Sequence, residues 1–110
     1  MKIIGNYIGG NITSNSKKLL NIEDPSKGEV ISQVVLSNKT DFDEAVKSSQ
    51  NSFLNWSEVT PLKRSRILSK YKELIEKDIN NLAKIISTEH GKTLEDSKGS
   101  ITRGLEVVEF

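Results

Sequence analysis

The spacing of hydrophobic residues changes once along this chain, close to residue 40. Before that point apolar and polar residues alternate in short runs, which is typical of β-strands. After it, apolar residues recur every three to four positions, as on one face of an α-helix. A length of 110 residues corresponds to one domain or part of one. The pattern therefore predicts an α/β unit with a strand-rich part at residues 1–36 and about four helices at residues 40–110.

Turn residues divide the strand-rich part into four short strands. The tripeptide Gly9-Gly10-Asn11 predicts a hairpin turn. Residues 24–28 predict a second turn, in which Pro25 presets φ and Gly28 tolerates a positive φ. We expect strands at residues 6–8, 12–13, 19–23 and 29–36. Strands this short need a larger sheet to be stable.

Each expected helix begins or ends at a residue pattern that favours a helix terminus. Capping-box patterns precede the first and fourth helices, a proline opens the second, and an aspartate and a glycine flank the third. In chain order these signals are Thr40 with Asp43, Thr60 with Pro61, Asp78, Gly91, and Thr93 with Asp96.

One apolar face of each helix is expected to be buried. The residues on these faces are Phe42, Ala45, Val46, Ser49, Phe53 and Trp56, then Ile67, Leu68, Tyr71, Leu74 and Ile75, then Ile79, Leu82, Ala83 and Ile86, and finally Leu94, Ile101, Leu105 and Val108. The last face runs to Phe110 with no capping residue or polar tail after it. This ending leads us to expect a chain truncated at its C-terminus.

The charge balance and the cysteine count exclude several functions. The 16 Lys and Arg residues nearly cancel the 15 Asp and Glu residues, so no global field favours nucleic acid or anionic lipid as a partner. With no cysteine and one histidine, the chain has no thiol nucleophile, and a zinc or other metal site is not expected. The apolar run at the start is too short for a signal peptide or a membrane span, which favours a cytoplasmic protein.

Several polar groups invite a functional interpretation, but each has a simpler structural one. Gly91-Lys92-Thr93 lacks the earlier glycine of a phosphate-binding loop and is explained as a helix stop followed by a cap. The basic run 63–66 lies at the start of an amphipathic helix and favours a solvated or ion-paired face. His90 at a helix end favours a contact with the last carbonyl groups over general-base catalysis. The carboxylates Glu89, Glu95 and Asp96 surround a helix boundary and are assigned to capping and solubility.

Arg103 is the polar residue with the strongest functional potential. It lies beside Gly104 on the fourth expected helix, whose other positions are largely apolar. A guanidinium group matches a carboxylate with two parallel hydrogen bonds, and a glycine allows another backbone or a ligand to approach closely. The structural alternative is an i, i+3 ion pair with Glu106. On physical grounds alone both interpretations remain open.

The ordered set of segments along the whole chain resembles the start of the aldehyde dehydrogenase superfamily. Each segment is weakly diagnostic alone, and their order carries the resemblance. They are Asn6-Tyr7-Ile8-Gly9-Gly10, the Asp-Pro-Ser-Lys-Gly-Glu-Val run from Asp24 to Val30, Phe53-Leu54-Asn55-Trp56-Ser57, Arg66-Ile67-Leu68, and Glu89-His90-Gly91-Lys92-Thr93-Leu94. The resemblance implies the N-terminal portion of the α/β aldehyde dehydrogenase fold, with helices that flank a nucleotide-binding domain.

The last segment, residues 103–110, resembles one branch of that superfamily, the CoA-acylating methylmalonate-semialdehyde dehydrogenases. This branch implies oxidation of methylmalonate or malonate semialdehyde with NAD and CoA, through a thioester on a cysteine, to propionyl-CoA or acetyl-CoA and carbon dioxide. It also implies a role in valine and inositol breakdown and a homo-oligomeric parent enzyme. An arginine matching Arg103 is implied to hold the substrate carboxylate.

The same resemblance implies that the catalytic cysteine, the glutamate base and the NAD contacts lie beyond Phe110. We therefore expect no catalytic, cofactor-binding or metal-binding residue in this chain, which would be inactive alone. Two alternatives remain open. Another branch, such as succinate-semialdehyde dehydrogenase, would not require CoA, and a free-standing helical interaction module would have no catalytic activity.

Overall fold

A computed structural model describes all 110 residues, which form five strands followed by four helices. The elements are β1 (Lys2–Ile4), β2 (Asn6–Ile8), β3 (Asn11–Thr13), β4 (Leu19–Asp24), β5 (Glu29–Val35), α1 (Lys39–Trp56), α2 (Pro61–Lys77), α3 (Ile79–His90) and α4 (Leu94–Glu109). The expected strands and helices are confirmed, with β1 as an additional strand. The chain divides into two compact units, residues 1–23 with 28–58, and residues 24–27 with 59–110.

The first unit contains a three-stranded sheet in the order β1-β5-β4 and a two-stranded sheet of β2 and β3. Strand β1 pairs in parallel with β5, with Lys2 opposite Ser32. The strands β2 and β3 are antiparallel and form a hairpin whose turn residues Gly9 and Gly10 both have positive φ, 59° and 82°. A two-residue turn with two positive φ values matches the twist of antiparallel strands, and glycine adopts it without steric cost.

Helix α1 begins earlier than the sequence indicates. The prediction of a capping box at Thr40 and Asp43 is wrong, because the N-cap is Asn38 and the third helical residue is Asp41. The Asn38 side chain accepts a hydrogen bond from the Asp41 amide at 3.0 Å, and the Asp41 carboxylate accepts one from the Asn38 amide at 3.0 Å. Asparagine is a better N-cap than threonine, and here both reciprocal bonds form.

The Asp41 carboxylate also fixes the loop that precedes β4. It accepts hydrogen bonds from the backbone amide of Asn15 at 2.7 Å, from the Asn15 side chain at 3.1 Å and from the Ser16 amide at 3.3 Å. Asp41 is buried, so these donors replace the water that an exposed carboxylate would bind. The amides of Asn15 and Asn38 are the main groups that hold the pKa of Asp41 below its usual range.

We expect Asp41→Asn to release this loop, because an asparagine NH₂ group cannot accept the amide hydrogen bonds. Hydrogen exchange of the Asn15 and Ser16 amides should accelerate by about tenfold or more. In the unchanged protein, folding lowers the pKa of Asp41 below its ordinary value of 3.8. The protection of the Asn15 and Ser16 amides from exchange is therefore complete above pH 3.8 and is lost as the pH falls through the lower pKa of the folded protein. The control is Asp43→Asn, since Asp43 forms only an exposed ion pair with Lys39. Unchanged exchange in Asp41→Asn would contradict the assignment.

The second unit is built from α2, α3 and α4 together with the turn at residues 24–27. Its buried centre is small, with Ala83 from α3 and Ser97 and Leu105 from α4. At the far end of α4, the Lys72 ammonium on α2 lies 3.5 Å from a carboxylate oxygen of Glu109. In the turn, the hydroxyl and amide of Ser26 donate to the Asp24 carboxylate and lower the pKa of that group.

The apolar face of α2 is not buried as the sequence predicts. Ile67, Tyr71 and Leu74 each expose more than half of their surface, at 53%, 53% and 54%. Phe42 and Phe53 on α1 are also exposed, at 66% and 64%. Periodicity predicts the face of a helix that is apolar, but these 110 residues do not supply enough side chains to cover it. None of the four helices combines the length and the hydropathy that a membrane crossing requires.

Candidate functional site

The segment Gly91-Lys92-Thr93 connects α3 to α4, and the structural interpretation of it is confirmed. Gly91 ends α3 with a left-handed φ of 86°, and its amide donates to the Ser87 carbonyl at 2.9 Å. Thr93 is the N-cap of α4, and its hydroxyl accepts from the Asp96 amide at 3.1 Å. A Cβ atom on Gly91 would lie 3.0 Å from Cγ of Pro25. Glycine therefore meets both a conformational and a packing requirement here.

The backbone at Lys92 is held in place by Ser87. The Ser87 hydroxyl donates to the Lys92 carbonyl oxygen at 2.7 Å and so closes the turn from the α3 side. The Lys92 side chain leaves this fixed turn and reaches α4, where its ammonium donates to Ser100 Oγ at 2.8 Å. The position of the Lys92 charge is thus set at both ends of the side chain.

An open cleft of about 420 Å³ lies along the first half of α4 and the turn before it. Charged groups of both signs and two glycines line it, namely His90, Gly91, Lys92, Glu95, Asp96, Gly99 and Arg103. The acidic residues lie on the first turn of α4, and Arg103 lies two turns later. The cleft therefore has an acidic end, and a basic end formed by Arg103 and Lys92.

Arg103 is exposed and folds back along its own helix. Side chains on an α-helix lean toward its N-terminus, and the Arg103 guanidinium accordingly donates to Ser100 Oγ at 3.1 Å. One guanidinium nitrogen lies 3.5 Å from the place where a Cβ atom of Gly99 would be. The Glu106 ion pair that the sequence allows does not form, and Arg103 has no carboxylate partner in the chain. Its charge is available to an anion in the cleft.

Two features of this site differ from the sequence interpretation. A Cβ atom on Gly104 would meet open space, so that position stays accessible as expected, whereas the Arg103 guanidinium lies beside Gly99, which the sequence interpretation did not include. Sequence reasoning also missed Lys92 and Ser100 as neighbours of Arg103. The three-residue spacing between Ser100 and Arg103 was an available signal, because such residues adjoin on one helix face.

The other polar candidates lie at helix boundaries. His90 is the last residue of α3, but its side chain forms no hydrogen bond, so the expected contact with the last carbonyl groups does not form. Glu95 lies 3.9 Å from the ammonium of Lys98, and the basic run 63–66 opens α2 without forming an ion pair. No group of three or more metal-ligating side chains converges anywhere in the chain, and no cysteine is present. The cations at the cleft can bind an anion, and the chain has no thiol for thioester chemistry.

Comparison with known proteins agrees with the resemblance seen in the sequence. Residues 12–110 match the family described as the aldehyde dehydrogenase family. Malonate-semialdehyde dehydrogenase 2 of Bacillus cereus is 43% identical over 99% of this chain and 22% of its own length. A mitochondrial protein of Dictyostelium discoideum, assigned as an acylating methylmalonate-semialdehyde/malonate-semialdehyde dehydrogenase, is 41% identical over 94% of this chain and 20% of its own.

A solved structure shows the same fold. A Sinorhizobium meliloti protein assigned as a methylmalonate-semialdehyde dehydrogenase, in complex with NAD, superposes with a TM-score of 0.96 at 39% identity. The match covers 100% of this chain and 23% of that protein. The expected fold, the N-terminal portion of an α/β aldehyde dehydrogenase, is therefore confirmed. The chain spans less than a quarter of the length of the relatives it matches.

Proposed function

Because this chain belongs to the aldehyde dehydrogenase family, we propose that it forms the N-terminal part of an NAD-dependent, CoA-acylating dehydrogenase for malonate or methylmalonate semialdehyde. The observation that carries the proposal is the unpaired Arg103 at the basic end of the cleft. Both proposed substrates bear a carboxylate in addition to the aldehyde. The names of the relatives from Bacillus and Dictyostelium support the same substrate class.

In this proposal the chain contributes binding and the rest of the protein contributes the chemistry. Arg103 holds the substrate carboxylate, and so orients the aldehyde at the other end of the substrate. Hemithioacetal formation and acyl transfer require a thiolate, and this chain contains no cysteine. In the parent enzyme NAD would supply the hydride acceptor and CoA the acyl acceptor, with carbon dioxide as a further product. In this proposal the nucleophile, the base and the NAD contacts lie in the part of the full-length protein outside these 110 residues.

The experiment that tests the proposal compares aldehydes in the full-length protein, with and without CoA. Formation of NADH and of acetyl-CoA or propionyl-CoA from malonate or methylmalonate semialdehyde is the expected result. Omission of CoA should abolish acyl-CoA and slow turnover. Succinate semialdehyde oxidised equally well without CoA would instead favour a succinate-semialdehyde dehydrogenase. No oxidation of any aldehyde would favour a non-catalytic interaction module.

The assembly and location of the parent enzyme belong to the same proposal. We expect a cytoplasmic homo-oligomer that acts on a small soluble aldehyde and binds neither nucleic acid nor membrane. Sedimentation of the full-length protein and fractionation of its source cells test both points. A monomer with full activity would contradict the oligomeric part and leave the substrate assignment standing.

A further inference from the structure

The hydroxyl oxygen of Ser100 accepts hydrogen bonds from two positively charged side chains. Its hydroxyl oxygen accepts from the Lys92 ammonium at 2.8 Å and from the Arg103 guanidinium at 3.1 Å. A serine oxygen has two acceptor sites, and both are used. The two donors come from different parts of the fold, the turn after α3 and the middle of α4, so Ser100 brings together charges that are eleven residues apart in the chain.

The Ser100 hydroxyl is turned away from the helix backbone. Its neighbours on α4 behave differently, since the hydroxyls of Ser97 and Thr102 donate to the carbonyl oxygens four residues earlier, at 2.8 and 3.0 Å. Such back-bonding is the usual arrangement for these residues inside a helix. Ser100 makes no such bond, and its oxygen instead faces the two cations.

Neither cation has an acidic partner. Lys92 and Arg103 form no ion pair, although Glu95 and Asp96 line the opposite end of the same cleft. Two like charges that share one neutral oxygen repel each other, and a carboxylate placed between them relieves this repulsion. A carboxylate also suits the donors, because it can accept charge-assisted hydrogen bonds from both.

We infer that Ser100 is a positioning residue, which holds Lys92 and Arg103 side by side as a joint clamp for the substrate carboxylate. The inference rests on the proposed function and adds two residues to it. Lys92 contacts the carboxylate directly as the second cation. Ser100 acts through both cations and sets the distance between them.

The test measures KM and kcat of the full-length enzyme with malonate semialdehyde and with propanal, which has no carboxylate. Ser100→Ala should raise KM for malonate semialdehyde about tenfold, since a hydrogen bond to a charged group is worth about that factor or more. The value of kcat, and KM for propanal, should stay within about twofold. Ser100→Thr keeps the hydroxyl and should restore most of the lost affinity.

Three further variants complete the design. Thr102→Ala is the matched control. It removes a hydroxyl from the same helix, and this hydroxyl contacts no cation. Lys92→Gln should raise KM for malonate semialdehyde as Ser100→Ala does. The double variant Ser100→Ala/Lys92→Gln should be less impaired than the product of the two single effects, since both residues belong to one clamp. Because Lys92 lies in a turn and not inside a helix, this variant tests the clamp even if Ser100→Ala does not fold.

The outcomes separate this inference from the proposed function. If Arg103→Lys raises KM selectively for malonate semialdehyde but Ser100→Ala and Lys92→Gln do not, the clamp is wrong and Arg103 remains the carboxylate ligand. If Arg103→Lys affects both aldehydes equally, the proposed substrate site itself is wrong. Equal losses on both aldehydes in Ser100→Ala, without rescue by Ser100→Thr, would reduce Ser100 to a structural residue and overturn the inference.

Discussion

Arg103→Ala in the full-length enzyme is expected to lower kcat/KM for malonate semialdehyde by about tenfold to a hundredfold. A hydrogen bond to a charged group contributes about 1.5–3 kcal/mol, and each 1.4 kcal/mol is a factor of ten. Propanal should be oxidised almost as well by the variant as by the unchanged enzyme. Steady-state kinetics with the two aldehydes measure this difference directly.

Two substitutions of Arg103 distinguish the effect of its positive charge from the effect of its hydrogen-bond geometry. Arg103→Lys keeps the positive charge but loses the planar pair of donors, so its loss should be smaller than that of Arg103→Ala and should appear mainly in KM. The matched control is Arg66→Ala, because Arg66 is also exposed and free of ion pairs but lies on α2, away from the cleft. If Arg103→Ala impaired propanal and malonate semialdehyde equally, carboxylate binding by Arg103 would be refuted.

The second large effect concerns the 110-residue chain on its own, which we expect to unfold without a cooperative transition. Ala83 and Leu105 are its only buried hydrophobic residues, whereas 22 large apolar side chains are exposed. Burial of apolar surface is the main source of folding free energy, and this chain buries too little of it to offset the loss of chain entropy. Exposed apolar surface of this extent also favours association.

Circular dichroism and dye binding test this expectation. The isolated chain should show a helical far-UV spectrum, a broad thermal change without a plateau, and strong binding of the dye ANS. The control is the full-length protein, which should melt cooperatively and bind little dye. A sharp transition in a monomeric 110-residue chain would contradict the expectation. It would also favour the alternative of an independent helical module over a part of a larger enzyme.

Local signals in the sequence were sufficient for most of the fold. The Gly9-Gly10 turn, the proline at position 61 and the glycine at position 91 each define a boundary through the conformation of one or two residues, and the structure agrees with all of them. Strand β1 was missed because its pairing partner is about thirty residues away. Pairing with a strand that distant produces no pattern of apolar and polar residues within the three residues of β1.

The start of α1 shows how a tertiary contact decides between two local signals. Both Asn38 with Asp41 and Thr40 with Asp43 fit the capping pattern. The first pair is used because the Asp41 carboxylate also accepts hydrogen bonds from Asn15 and Ser16. A prediction from the residues of the helix alone does not include those donors, which lie more than twenty residues earlier in the chain.

The candidate site was predictable only in part for a similar reason. Arg103 stood out because a guanidinium on a largely apolar stretch is unusual. Its proximity to Ser100 follows from helix spacing. The position of the Lys92 ammonium beside them depends on the turn that Ser87 and Gly91 close. The sequence alone does not give the direction in which a side chain leaves such a turn.

The parallel pairing of β1 with β5 has a consequence for how the protein is made. Strand β1 is synthesised before β5, and Lys2 cannot pair with Ser32 until nearly thirty further residues have followed. The β2–β3 hairpin closes through two residues, so it can form while β5 is still inside the exit tunnel. Each doubling of a loop adds roughly 0.6 kcal/mol to the entropy of closure. Strand β1 therefore joins its sheet late, and until then its backbone is accessible to chaperones and proteases.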